Sequence, residues 1–94
     1  MHTLEMKYQT GLEESLILKI IKCESGGKPY AKGYNKNGTV DYSYWQINNY
    51  WWEKELARKG WDIKVPEQNL EAGFYLISTY GVKLWSASAH CWSK

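Results

Sequence analysis

The sequence has one Phe, two Cys, no apolar run approaching the length of a membrane span and almost no excess charge, and each shortage closes off a class of function. Cys23 and Cys91 form neither a CxxC pair nor a Cys/His zinc spacing, which argues against a structural zinc site or a thioredoxin-like redox centre. They are either two buried thiols or one disulfide. A bridge would close the chain from 23 to 91 and stabilise it by about 4 kcal/mol, and it would place the working environment outside the reducing cytoplasm. With 12 Lys and Arg against 10 Asp and Glu, the net charge is only +2, which gives no electrostatic footprint for nucleic acid. No signal peptide, membrane span, internal repeat or low-complexity tract is visible. The chain therefore reads as a mature domain excised from a longer precursor, or as one exported by something outside it.

What is present is aromatic. Six Trp and eight Tyr stand against the single Phe. Rings with an apolar body and a polar tip suit a partly exposed surface. At 94 residues the chain is one domain, burying roughly 60–65% of its unfolded surface. Residues 1–9 show no convincing periodicity and read as a flexible arm or an appended segment foreign to the domain, which would then span residues 10–94. Thr10 or Gly11 should open a helix with Glu13 and Glu14 in its first turn. Leu12, Leu16, Ile17, Ile20 and Ile21 set its apolar stripe, and Gly26-Gly27 ends it. Lys28 to Val40 is turn chemistry, and Asn37-Gly38 is a hairpin signal that puts Asp41 on a return strand. Asn48 or Asn49 caps a second helix from Tyr50 to Lys59, closed by Gly60. Pro66 starts a third, which reads as scaffold and stops at Gly81. The expected fold is α+β and mostly α, with three to four helices and one short β-hairpin flanking a cleft.

Two carboxylates stand out. Glu24 continues the stripe of 17, 20 and 21, so it aims at the apolar side of its helix. A buried ion pair would explain it. So would a general acid, because desolvation keeps a carboxyl protonated near neutrality. Asp41 could be an ordinary turn residue. It is also surrounded by Tyr, Trp, Gln and Asn, whose amides read hydroxyls and whose rings cover the apolar faces of pyranoses. Paired across a groove, the two carboxylates can cleave a glycosidic bond.

The stretch from Asn35 to Trp52 resembles the active-site hairpin of c-type lysozymes, whose pattern is Asn-x-x-Gly-Ser/Thr-x-Asp-Tyr-Gly-x-x-Gln-Ile-Asn-x-x-Trp-Trp, and the gap from Glu24 to Asp41 matches as well. Cys23-Glu24-Ser25-Gly26-Gly27, followed by Gln68, Ala72, Gly81, Trp85 and Cys91, is similar to the transglycosylase-like domains of resuscitation-promoting factors. In those domains the last cysteine is bridged to the first. The resemblance, over roughly residues 12–92, is to the lysozyme-like superfamily. It implies a glycan groove in which Glu24 is the general acid and Asp41 the second carboxylate. It further implies that Asn35, Gln46 and Asn48 line the cleft, that Trp51 and Trp52 carry sugar rings, and that Cys23 pairs with Cys91. Packing of the second helix is the other reading of Trp52. Ser43 stands where the c-type pattern has glycine, and the c-type cysteine framework is absent.

The expected activity is that of a muramidase hydrolysing the β-1,4 bond between N-acetylmuramic acid and N-acetylglucosamine of peptidoglycan. The domain would act as a monomer, outside the cell, in the periplasm or at the cell wall. It would use no metal and no cofactor, would bind no nucleic acid and would have no membrane span. The alternatives are lytic transglycosylation at the same bond, giving 1,6-anhydro products, and an inactive glycan-binding or structural module. Many lytic transglycosylases use Glu alone, so Asp41 favours hydrolysis.

Overall fold

The computed structural model describes residues 2–93, and its central helix is α2, Glu14–Ser25. Ile17 and Ile20 are fully buried and Ile21 nearly so. Each such side chain withdrawn from water contributes roughly 1.5–3 kcal/mol, enough to fix which face of α2 turns inward. Gly26, at φ 68°, ends the helix and returns its N–H to the Lys22 carbonyl. The start lies later than the expected Thr10 or Gly11. Thr10 is occupied elsewhere: its Oγ1 accepts from the Leu12 amide at 3.1 Å and donates to Glu5 Oε1.

The expectation of a flexible arm over 1–9 needs correction. His2–Tyr8 forms a helix, α1, and Leu4 and Tyr8 pack against the core. Met1 lies outside the described residues. Lys7 Nζ and Tyr8 Oη both donate to Glu71 Oε2, at 2.7 and 2.5 Å. Seven residues are too few to display a period and too few to be helical alone. Only the tertiary contact makes α1 stable, and the local sequence does not show that contact.

Three short antiparallel strands follow: β1 (Lys32–Tyr34), β2 (Val40–Tyr42) and β3 (Ile47–Asn48). The Asn37-Gly38 turn joins β1 to β2, with Gly38 at φ 86°. The register sets Gly33 and Asn48 on either side of Asp41. β3 adds a strand to the expected hairpin. It is reached through a tight turn in which Ser43 and Gln46 take positive φ, 64° and 51°. Helix α3 (Asn49–Arg58) is capped by Asn48, and α4 runs Pro66–Tyr80 up to Gly81. Irregular 3-10 turns, Gly81–Ser88, break at Trp85 and lead into the single turn α5, Ala89–Trp92.

Trp45 sits at the centre with no exposed surface. It meets Phe74 edge-on at 5.6 Å and Trp85 at 5.0 Å, and its Nε1 donates to the Leu70 carbonyl at 3.0 Å. Gly73 lies beneath the indole, and a methyl group there would fall 2.1 Å from its ring. Fully buried Asn69 of α4 accepts from the Trp45 amide at 3.2 Å. Its Nδ2 donates to the carbonyls of Tyr42 and Ile63, both at 2.9 Å. This one amide bonds the sheet to α4. Among the described residues no helix is long and apolar enough to cross a membrane.

Candidate active site

Between α2, the sheet, α3 and the C-terminal turns lies a cavity of about 480 Å³. Its wall contains Glu24, Asp41, Gln46, Asn48, Trp51 and Trp52, so six of the seven residues expected at a site come together. Glu24 arrives from the last turn of α2, on the inward side that its periodicity predicts. Burial pushes its carboxyl above the usual range, the Asp41 charge adds to that, and a hydrogen bond from Ser88 opposes both. Environments that push two carboxyl pKa values apart allow the two groups to take different roles.

Asp41 is held through one oxygen. Asn35 and Asn48 both donate to its Oδ1, at 3.2 and 2.9 Å, and among the described residues Oδ2 accepts no bond. The same two amides donate to Thr39 Oγ1 at 3.0 Å each. Asn35 is the expected residue that does not line the cavity. It is exposed and works from behind Asp41. Gln46 lines the wall, but both hydrogens of its amide are committed to the hairpin, on the carbonyls of Ala31 and Ser43 at 3.2 and 2.9 Å. Its Oε1 lies so close to Gly33 that a methyl group there would meet it at 2.7 Å.

Trp51 is 71% exposed and stands edge-on to Tyr50 at 5.1 Å. Its ring is open to a ligand. Trp52 lies 5.4 Å from Tyr80 and packs on the core as well as lining the cavity. Cys23 and Cys91 are bonded, with Cα atoms 6.0 Å apart, and this ties α5 to α2 beside Glu24. Ser43 N donates to Ala31 O at 2.8 Å and its Oγ to Pro29 O at 2.7 Å. The serine thus holds a left-handed turn that glycine would adopt without strain.

Sequence reasoning missed several neighbours of the site. Leu76 of α4, a helix expected to be scaffold, and Trp85 both line the cavity. Thr39 and Gly33 hold and clear the space around Asp41, and a glycine opposite a strand carboxylate was a readable signal. Ser88 bonds Glu24 from 64 positions away, which no local pattern announces. Among the described residues no group of three or more His, Cys, Asp or Glu could hold a metal ion.

No curated protein and no solved structure matches the chain. The profile of one family, the transglycosylase SLT domain, matches residues 2–87, which includes α1, both carboxylates and the whole cavity wall. The chain belongs to the transglycosylase SLT domain family, within the lysozyme-like superfamily of proteins that act on peptidoglycan.

Proposed function

We propose that the cavity hydrolyses the β-1,4 bond between N-acetylmuramic acid and N-acetylglucosamine. The observation that carries this reading is a carboxyl of raised pKa, Glu24, in one cavity with a carboxylate anchored through a single oxygen, Asp41. Glu24 gives its proton to the glycosidic oxygen, and the C1–O bond breaks with its electron pair going to the departing sugar. Asp41 meets the positive charge at C1, and water completes the cleavage. Asn35 and Asn48 aim Asp41, Asn48 and Gln46 shape the wall, and the open ring of Trp51 carries a sugar face with Trp52 beside it. The Cys23–Cys91 bond favours work in an oxidising place, outside the cytoplasm, and the domain acts as a monomer.

The family match favours a second reading, lytic transglycosylation, in which the muramic acid 6-hydroxyl replaces water. Digestion of purified peptidoglycan by the wild type and Glu24→Gln, with muropeptides read by mass spectrometry, decides among the outcomes. Reducing-end products that vanish in the variant support hydrolysis. Anhydro products, one water lighter, assign transglycosylation. Cleavage that survives Glu24→Gln overturns both.

A further inference from the structure

Among the described residues Ser88 is the only hydrogen-bond partner of the Glu24 carboxyl. Its Oγ lies 2.5 Å from Glu24 Oε2, 3.1 Å from the Trp85 carbonyl oxygen and 3.0 Å from Trp92 Nε1. The indole N–H can only donate, so Trp92 gives its hydrogen to Ser88 and shares it with the Trp85 carbonyl at 3.2 Å. Ser88 then has one hydrogen and two acceptors within reach. While Glu24 is a neutral acid, the two acceptors are comparable. Once Glu24 is an anion, a bond to Oε2 becomes charge-assisted and roughly twice as strong. Moving the hydrogen takes only a turn about the Cβ–Oγ bond, with every heavy atom in place.

We infer that Ser88 is a positioning residue for Glu24, a hydroxyl that turns from the Trp85 carbonyl to Glu24 Oε2 as the acid gives up its proton. The inference rests on Glu24 acting as general acid. The bond to Oε2 leaves Oε1 as the oxygen that delivers the proton. The glycosidic oxygen gains that proton, Glu24 is left as carboxylate, and Ser88 keeps its own hydrogen throughout. Donation from Trp92 polarises the hydroxyl and strengthens its bond to Oε2. The Cys23–Cys91 bond holds α5, and with it Trp92, against α2. Of the charged groups on neighbouring elements, Asp41 acts on Glu24 across the cavity, while Lys83 and His90 are exposed on the C-terminal turns. Ser88 lowers the Glu24 pKa against the effect of burial, as a bond that favours the anion must.

The test compares Ser88→Ala and Ser88→Thr with the wild type in two measurements: muropeptide release as a function of pH, and carbon-13 NMR titration of the Glu24 carboxyl in the free protein. In Ser88→Ala, Glu24 should titrate at higher pH and the alkaline limb of the rate profile should move up with it. The plateau kcat should fall roughly ten- to hundredfold, the cost of one bond to a charged group, at unchanged KM. Ser88→Thr, which keeps the hydroxyl, should restore both. An unshifted titration in Ser88→Ala, with Glu24→Gln inactive, overturns the inference alone. Full cleavage by Glu24→Gln overturns the general-acid reading and this inference with it.

Discussion

Asn48 serves Asp41 and a helix with the same side chain. Its Oδ1 caps α3 by accepting from the amides of Tyr50 and Trp51 at 2.9 and 3.3 Å, while its Nδ2 donates to Asp41 Oδ1 at 2.9 Å. The end of the sheet, the start of α3 and the second carboxylate are therefore set by one amide.

Asn48→Asp separates these duties. Aspartate caps a helix as well as asparagine does, so α3 should persist and the melting temperature should change little. The new carboxylate, however, faces Asp41 where a donor stood, and two such groups share a proton. Muropeptide release at neutral pH should fall by at least roughly tenfold. Circular dichroism and the digestion assay on the same sample check the split.

The carboxyl of Glu24 carries a cost to the fold that depends on pH. Its folded pKa lies above its ordinary value of 4.5, so the folded chain holds the proton more tightly than the unfolded one. Stability is then highest below the ordinary value, falls as pH rises from there to the folded value, and stays low above it. Glu24→Gln, neutral throughout, should melt higher than the wild type at pH 7 and match it in acid. Thermal melts of both proteins across pH would show the two curves meeting at low pH.

Gly73→Ala should destabilise strongly, although alanine is the better helix former by about 1 kcal/mol. The added methyl falls 2.1 Å from the Trp45 ring, and that indole is wedged between Phe74 and Trp85. Overpacking of this kind costs roughly 1–3 kcal/mol or more. A lower urea midpoint is expected, and a higher one would show that Trp45 is free to move.

Ser43 offers a paired test. Ser43→Gly loses the hydroxyl bond to Pro29 but relieves a left-handed backbone costing about 1–2 kcal/mol, so it should be near neutral. Ser43→Ala loses the bond and keeps the strain. Denaturant titration should place the alanine variant below the glycine variant by about 1 kcal/mol.

The inward turn of Glu24 was legible because residues 17, 20, 21 and 24 fall on one helical face, and periodicity reports direction. Gly26, Pro66 and Gly81 marked helix ends because their backbone limits act locally. The Asn37-Gly38 turn was readable for the same reason. β3 was hidden because it depends on positive φ at Ser43 and Gln46, which neither residue type advertises. Asn35 was expected in the wall and stands behind Asp41 instead, since a motif gives order along the chain but not depth. Ser88 and α1 depend on contacts more than sixty positions distant, and their own neighbours in sequence carry no trace of them.

Asn69 is hard to replace. Its oxygen takes one backbone hydrogen and its nitrogen supplies two backbone carbonyls, in a spot closed to water. Aspartate lacks the hydrogens, glutamine is a carbon too long, and leucine would leave three backbone groups dry at about 1–3 kcal/mol each. A replacement there would remove the bond from α4 to Tyr42, at the end of the strand that carries Asp41.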